Sequence, residues 1–351
     1  MNLEEVMASI INRLNPFWII VFIFFTWASI EQLKYETSSK KGAREAMQTY
    51  YLGRFSIAVP ALMKQKIRSS KLRYADIQEM EWPQSLNPEQ ARKAEWDRFM
   101  AEVKKLPPPD GKDRVIIKVH EFPAVGKWAK GIFYYNDSFD RHGARWSLLM
   151  DAGPVGLWLK TDDIVVEKEI EHSKTIPNYE NIAKAFQPLD LHNLKGRQPG
   201  NRFYLEHGAI NLPYAGQEES IARFEGHPLK LTLLIEMETD FTKEIETMSL
   251  IKGTRAMLAV ALISPGGGIS KIRLREREVA GMPGEEAVLR VREGQRKDLV
   301  FTWQFNGKDD SGEYPTTRIE MESPDGNLHE KLKIWDAVLD SMKPMFERKK
   351  S

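Results

Sequence analysis

The sequence predicts an α+β fold with two similar domains, each an antiparallel sheet with helices packed on one face, after an N-terminal transmembrane or signal helix. Three observations lead to this prediction. The chain has 351 residues, about the length of two domains. Residues 15–30 form an almost wholly apolar run. After that run, the order of a strand, a helix, antiparallel strands and a closing helix can be read twice.

Composition limits the classes of function. The chain has 51 Lys and Arg against 50 Asp and Glu, a formal net charge of +1, which does not support nucleic-acid binding. It contains no cysteine, which excludes disulfides, thiol catalysis, thiolate metal sites and an acylated lipoprotein cysteine.

The N-terminal apolar run predicts a membrane segment, to which we assign residues 1–33. Arg13 and Glu31 bound a charge-free stretch close in length to the shorter membrane-spanning helices, about 17 residues. Unlike a core helix, the run has no polar face. Its bulky apolar residues are Phe17, Trp18, Ile19, Ile20, Val21, Phe22, Ile23, Phe24, Phe25 and Trp27. We favour an uncleaved anchor over a cleaved signal, because Thr26 stands two residues before Ala28, where signal peptidase prefers alanine.

Charges around the run leave its orientation open. Arg13 precedes it, whereas Lys34, Lys40, Lys41 and Arg44 follow it. The positive-inside rule alone would keep the body of the protein in the cytoplasm, but a signal sequence would export it. Residues 34–46 are polar and predict a tether.

The first predicted domain spans residues 47–195. It opens with a strand over 54–60, where apolar and other residues alternate. A helix over 87–106 follows, with Asn87 as its cap, Pro88 in its first turn and Gln90 at the capping-box position. The remaining predicted elements are strands over 114–122, 131–135, 145–150 and 155–160 and a helix over 178–186.

The second predicted domain spans residues 196–351, after a polar, turn-rich stretch at 192–201. It opens at 202–213, and the tetrapeptide INLP at 210–213 resembles IAVP at 57–60, which favours a weak internal duplication. Its strongest strand is 229–237. The other predicted elements are a helix over 238–251, strands over 270–278, 287–293, 299–305 and 316–323, and a final helix over 327–346.

Motifs for catalysis, cofactors and metals are missing from the sequence. The seven histidines show no HExxH or other metal-ligand spacing. No G-x-S-x-G elbow occurs, and the glycine-rich stretch at 264–270 lacks the Lys-Ser/Thr of a phosphate loop. We therefore expect no catalytic residue, cofactor, metal or small-molecule substrate.

Two adjacent carboxylates, Glu285 and Glu286, are the remaining catalytic candidates. Neighbouring residues of a strand point to opposite faces, so the two cannot converge on one bond as a glycosidase pair does. We interpret Pro283-Gly284 as a turn and the glutamates as solvated or paired with arginines. Trp303 is interpreted as a core residue.

Arginines alternate along two neighbouring predicted strands and would form a basic stripe beside acidic residues. They are Arg273, Arg275, Arg277, Arg290 and Arg292. The stripe is either an ion-paired, solvated face or a charged surface that binds a partner. For the second interpretation the candidate residues are Arg273, Arg275, Arg290 and Arg292.

Residues 281–323 resemble the C-terminal domain of type VI secretion lipase immunity proteins of the fourth type. The resemblance rests on a Gly-x-x-Gly-Glu-Glu motif, a Trp-bearing strand and an acidic-hydrophobic strand before a final helix. The matching residues are Gly281, Pro283, Gly284, Glu285, Glu286, Trp303, Glu320 and Met321, followed by Trp335. The stretch at 51–60 resembles the start of that family's N-terminal domain.

The resemblance implies a protein that is not an enzyme. Members of the family are cognate inhibitors that grip a secreted lipase between two domains and stop its lid from opening. It implies a lipase effector as partner, with membrane attachment through the N-terminal helix. The expected location is the inner membrane with periplasmic domains, or the periplasm if the segment is cleaved. The alternative is a membrane-anchored envelope structural or assembly protein with two binding modules, and an enzyme ranks third.

Overall fold

The computed structural model describes residues 45–161, 164–171, 173–189, 201–239, 249–261 and 267–347. The predicted membrane segment and nearly all of the tether lie outside these residues. No helix within the described ranges has the length and apolar character that crossing a membrane requires. The α+β class is confirmed, since the described strand pairs are antiparallel and helices are few.

Five α-helices occur in the described residues. They are α1 (Pro88–Val103), α2 (Val166–Glu171), α3 (Thr175–Ala185), α4 (Leu250–Ala261) and α5 (Leu328–Ser341). The strands up to the middle of the chain are β1 (Met47–Leu52), β2 (Phe55–Pro60), β3 (Lys64–Leu72), β4 (Ala75–Glu81), β5 (Ile116–Glu121), β6 (Ala129–Tyr134), β7 (Gly143–Asp151), β8 (Val155–Thr161), β9 (Ile164–Val165) and β10 (Phe186–Pro188). The later strands are β11 (Phe203–Tyr204), β12 (Gly208–Ile210), β13 (Glu218–Glu225), β14 (Thr232–Glu238), β15 (Gly267–Val279), β16 (Met282–Glu293), β17 (Arg296–Phe305), β18 (Thr316–Pro324) and β19 (Lys343–Pro344).

One antiparallel sheet of 13 strands runs through both halves of the described chain. Its order is β15-β16-β17-β18-β14-β13-β3-β4-β8-β7-β6-β5, and β9 pairs with β7. The two halves meet where β13 pairs with β3, with Ser220 opposite Ser70.

The order of elements recurs on either side of the β3–β13 pair. The first half contains a hairpin (β3, β4), helix α1, and then strands β5 to β8 arranged so that β8 lies beside β4. The second half repeats this with the hairpin β13–β14, helix α4, and strands β15 to β18, of which β18 lies beside β14. This topology supports the expected duplication. Residues Arg44–Ser351 belong to one compact unit, and the division at 195/196 stays a prediction.

The opening strand of each repeat packs in the core of the other repeat. β2 pairs with β19, which follows α5, and Phe55 and Ile57 lie in a core cluster with Trp335 and Phe301 of the second half. Reciprocally, β12 pairs with β10, which follows α3, and Ile210 lies in the core of the first half. The two repeats therefore exchange strands.

Most predicted elements occur in the structure, and the differences have local causes. Asn87 caps α1, its Oδ1 accepting a 2.9 Å hydrogen bond from the backbone N of Gln90. The predicted helix at 238–251 is wrong at Glu238, which ends β14, and correct at Leu250 and Ile251, where α4 begins, while residues 240–248 lie outside the described residues. α5 ends at Ser341 rather than 346, because Pro344 disfavours a helical residue before it.

Candidate binding surface

We call the eight residues that carry the family resemblance, from Gly281 to Met321, the signature. The hairpin turn at its start is formed by Ala280 and Gly281, so the expected turn at Pro283-Gly284 is wrong. Val279 pairs with Met282, and Ala280 and Gly281 between them have φ of 53° and 71°. Positive φ at both central residues defines the two-residue hairpin turn that suits the twist of antiparallel strands. Pro283 and Gly284 are the second and third residues of β16. A Cβ on Gly284 would lie 2.6 Å from the Trp303 ring, so glycine there lets the indole approach the strand.

Glu286 is fully buried beneath the arginine stripe. Its carboxylate accepts hydrogen bonds from Arg275 Nε at 2.7 Å, Arg273 Nη1 at 2.9 Å and Trp335 Nε1 at 2.9 Å. Burial by itself would raise the pKa of Glu286, but these donors outweigh it and hold the pKa below its usual value. The carboxylate is thus ionised at neutral pH, with its oxygens engaged by protein donors.

Two aspartates of α5 complete this cluster. Arg277 binds Asp336 at 2.6 Å and Asp340 at 2.6 Å, and Arg273 also binds Asp336 at 2.7 Å. The pKa of Asp336 lies below its usual value, because hydrogen bonds from these arginines outweigh the opposing effect of burial. This network of ion pairs connects helix α5 to strands β15 and β16. Its chemistry is that of a structural ion-pair cluster.

Glu285 lies on the opposite face of β16 from Glu286, as the strand geometry predicts. Its carboxylate accepts hydrogen bonds from Ser249 Oγ at 2.8 Å and from the backbone N of Ile251 at 2.9 Å. Ile251 belongs to the first turn of α4, where the backbone N–H groups have no partner within the helix. Glu285 therefore serves as an N-terminal cap of α4.

The four arginines proposed to contact a partner differ in their surroundings. Arg273 lies within the Glu286 cluster, whereas Arg275, in the same cluster, keeps half of its side-chain surface exposed. Arg290 pairs with Asp325 at 2.9 Å, and Arg292 is exposed with Nε 3.3 Å from the carbonyl oxygen of Gly294. The ion-paired interpretation describes Arg273, Arg275 and Arg290. A role for any of the four in binding a partner stays a prediction.

The other signature residues divide between the core and the opposite face of the sheet. Trp303 is fully buried, and its Nε1 donates a 2.9 Å hydrogen bond to the carbonyl oxygen of Arg277. Met321 is buried in the same core. Glu320 points to the other face of β18, where it pairs with Arg318 and accepts a hydrogen bond from Thr302. The signature therefore consists of residues that fix the fold.

A cleft between β3 and β4 is the feature that the sequence did not reveal. The two strands pair through three residue pairs next to their turn and then separate, and the space between them has a volume of about 470 Å³. We call the separated parts, residues 64–69 and 78–81, the fork. The nine residues KQKIRSSKL of β3 show no apolar alternation, so no signal in the sequence marked this strand.

A metal is not assigned to the cleft. Potential ligand atoms of Glu79, Glu206 and His207 lie within 4.8 Å of one another at its edge. The Glu79 carboxylate, however, already accepts hydrogen bonds from the backbone N of Glu206 at 2.6 Å and of His207 at 2.9 Å. Burial raises the pKa of Glu79, and these two hydrogen bonds together with the cation of Arg68 oppose that shift. These interactions explain the position of the Glu79 carboxylate without a metal ion.

Comparisons with known proteins find one family model that matches most of the second half of the chain. Residues 199–345 match the family model described as the Tle cognate immunity protein 4 C-terminal domain. A search of curated proteins finds no match. Residues 281–323, which carry the signature, fall inside the matched range, so the expected resemblance is confirmed.

Solved structures of immunity proteins share the fold. The apo immunity protein TplEi of the type VI secretion system (T6SS) from Pseudomonas aeruginosa superposes with a TM-score of 0.68 at 16% identity, covering 85% of this chain and 97% of that chain. A chain of the Tle4-Tli4 complex gives a TM-score of 0.69 at 16% identity, with the same coverage. TplEi complexed with "L" peptide gives 0.65 at 15% identity, covering 85% and 98%. Over residues 199–345, where the family model and the signature strands coincide, the chain is similar to the Tle cognate immunity protein 4 C-terminal domain.

Proposed function

We propose that this protein is an immunity protein that binds and occludes a cognate type VI secreted lipase or phospholipase, protecting the producing bacterium and its kin. The match of residues 199–345 to the family carries the proposal. The shared fold supports it, because 97% of the matched chain of the Tle4-Tli4 complex is covered. The cognate lipase is the partner, and inhibition follows from blocking access to its active site.

The proposal includes that the protein is not an enzyme. The two carboxylates that could have served as acid or base have other tasks. Glu286 is ionised and bonded to two arginines and an indole, and Glu285 caps a helix. A general acid or base needs to reach the substrate's proton directly or through one water. Glu286 is fully buried and offers no such access, and the Glu285 carboxylate is engaged by Ser249 and the first turn of α4.

We also propose that the N-terminal run anchors the protein at the inner membrane, with residues 47–351 in the periplasm. Its supporting observation is the charge-free apolar sequence between Arg13 and Glu31. If the segment is cleaved, the protein is periplasmic. Either location places the inhibitor where a lipase that attacks the envelope would act.

The test is protection of cells from the lipase encoded beside this gene. That lipase is directed to the periplasm, and this protein is supplied full-length, without residues 1–33, or not at all. Protection by the full-length protein alone supports immunity and periplasmic placement together. Protection by both forms supports immunity and contradicts the placement. No protection from a protein shown to be folded contradicts the proposed function and favours an envelope assembly module.

A companion experiment tests the arginine surface. Arg292→Glu reverses an exposed charge outside the Glu286 cluster, and Arg255→Glu on α4 is the matched exposed control. If this surface contacts the lipase, Arg292→Glu weakens binding at least ten-fold, whereas the control does not. Unchanged binding by both variants, measured by titration calorimetry, would exclude Arg292 from the interface.

A further inference from the structure

We propose that the fork between β3 and β4 binds an extended segment of the lipase, which adds to the sheet as a strand. This inference rests on the proposed function, since the lipase is the partner that would supply the segment. It assigns a mode of recognition, main-chain pairing at open strand edges.

The fork is an incomplete part of an otherwise paired sheet. β3 and β4 are joined by the pairs Ser70–Ile77, Lys71–Asp76 and Leu72–Ala75. Beyond these, within the described residues, positions 64, 65 and 67–69 pair with β13 alone, Lys66 forms a bulge, and positions 78–81 pair with β8 alone. Each strand thus keeps one edge without a neighbouring strand, which is the surface that an added strand uses.

The second repeat supplies an internal comparison. Its corresponding hairpin, β13–β14, is paired over six residue pairs, from Phe224–Leu233 to Glu219–Glu238. The same topology can therefore close this hairpin along its length. The opening of β3–β4 is a specific difference between the two repeats.

Backbone geometry identifies which groups face the cleft. Successive residues of an antiparallel strand direct their N–H and C=O groups alternately to the two neighbouring strands. The N–H of Arg73 bonds the carbonyl of Gln217 on the β13 side at 2.6 Å, so Leu72, Ser70 and Arg68 face β4. The main chains of Leu72 and Ser70 pair with Ala75 and Ile77 of β4. Arg68 is the first without one, and continuing the register would place it opposite Glu79.

The side chains of Arg68 and Glu79 are held by other parts of the protein. Arg68 Nη2 donates to the carbonyl oxygens of Tyr51 at 2.7 Å and Tyr204 at 3.1 Å. Glu79 accepts from the backbone N–H groups of the turn at Glu206 and His207. Both strands are therefore fixed on their diverging paths, and a preorganised site binds with less loss of conformational entropy.

The lining of the cleft fits a strand. Consecutive residues of β3 and of β4 border it, which places the cavity at the strand edges, not on one face. Three buried polar atoms that border it have no hydrogen-bond partner: Gln65 Oε1, Arg68 Nε and Ser70 Oγ. Buried polar groups nearly always have partners, and a polar chain bound in the cleft would supply partners for these three atoms where ordered water does not. Ile67, half exposed beside them, offers an apolar contact for a side chain of that segment.

The test measures amide hydrogen exchange, residue by residue, in the full-length protein alone and with the lipase encoded beside it. Strand addition slows exchange at Arg68 and Glu79 at least ten-fold in the complex, because their N–H groups gain carbonyl partners. Ile235, paired on both sides within β14, is the control and keeps its rate. Binding without slowing at Arg68 and Glu79 overturns this inference and leaves the proposed function standing. Absence of binding overturns both.

A blocking label gives an independent second arm. The chain has no cysteine, so Ser69→Cys offers one thiol for a bulky maleimide at the cleft. Gln295→Cys, at the exposed β16–β17 turn, is the matched control. The label at 69 should weaken lipase binding at least ten-fold while the label at 295 does not. Equal affinity of the two labelled proteins would overturn the proposed site.

Discussion

The indole Nε1 of Trp335 donates a 2.9 Å hydrogen bond to Oε1 of Glu286, so the last helix and the signature strand share one buried carboxylate. Three arginines surround the same carboxylate, and all three also form ion pairs with Asp336 of that helix. The Gly-x-x-Gly-Glu-Glu motif thus supplies the buried carboxylate that links helix α5 to strands β15 and β16. It gives stability to the half of the protein that matches the family model.

Removing the Glu286 carboxylate should destabilise the protein strongly. Glu286→Ala removes the buried partner of Arg273 and Arg275 and leaves the Trp335 indole N–H without its acceptor, and breaking a buried ion pair in this way costs about 3–5 kcal/mol. Glu285→Ala removes a helix cap and should cost about 1 kcal/mol. Urea unfolding followed by tryptophan fluorescence measures both. Equal effects of the two variants would contradict the assignment of Glu286 to the core cluster.

Acid should remove the stabilisation that the Glu286 cluster gives to the folded protein. The pKa values of Glu286 and Asp336 are depressed in the folded protein, so the folded state binds their protons less readily than the unfolded state. Their stabilisation is complete above the unfolded values and is lost as pH falls through the folded values, below about pH 4. The free energy of unfolding should therefore fall less steeply below pH 4 in Glu286→Gln/Asp336→Asn than in the unmodified protein. Parallel pH profiles would refute the linkage.

Replacing Gly284 by alanine should destabilise the folded protein. Its Cβ would lie 2.6 Å from both the carbonyl oxygen of Gln304 and the Trp303 ring, so backbone and core would have to shift. Overpacking of this kind costs about 1–3 kcal/mol. Gly268→Ala is the control on the neighbouring strand, because its Cβ would come no closer than 3.7 Å to Arg292. A thermal midpoint lowered by Gly284→Ala alone is expected, and equal midpoints would count against this explanation of the signature glycine.

The parts of the fold that the sequence predicted are those in which burial follows a simple period. In β14, Leu233, Ile235 and Met237 alternate with less buried residues, and the strand reads correctly because one face lies on the core. The opposite faces of Glu285 and Glu286 follow from the same period. The duplication was visible only as two similar tetrapeptides and a shared order of elements.

Other features depend on partners distant in sequence. β3 carries six Lys, Arg, Ser or Gln residues before Lys71, and its position is set by pairing with β13 about 150 residues later. The turn at Ala280-Gly281 was missed because a non-glycine residue rarely takes positive φ, whereas Pro-Gly is a common turn dipeptide. The fork is an absence of pairing within one hairpin, and a sequence does not specify where pairing stops.

A buried ion pair connects the two repeats and makes a prediction of its own. Arg54 binds Glu218 through Nε at 2.7 Å and Nη2 at 2.6 Å, and both side chains are almost fully buried. Arg54→Met should cost about 3–5 kcal/mol, because Glu218 is left charged and unpaired in the interior. Arg54→Met/Glu218→Met removes both charges and should recover most of that loss. Urea unfolding of the single and double variants gives the coupling, and additive losses would contradict direct pairing.

The exchanged strands predict that the two halves depend on each other for folding. A fragment of residues 47–195 would lose the core in which Phe55 and Ile57 of β2 are buried, and a fragment of 196–351 would lose those residues from its own core. Each fragment expressed alone should therefore lack near-ultraviolet circular dichroism and a cooperative thermal transition. Co-expression of the two should restore both signals in a stable 1:1 complex, because the exchange can form between chains. Cooperative unfolding of either fragment alone would show that the division at 195/196 separates independent domains and that strand exchange is dispensable for folding.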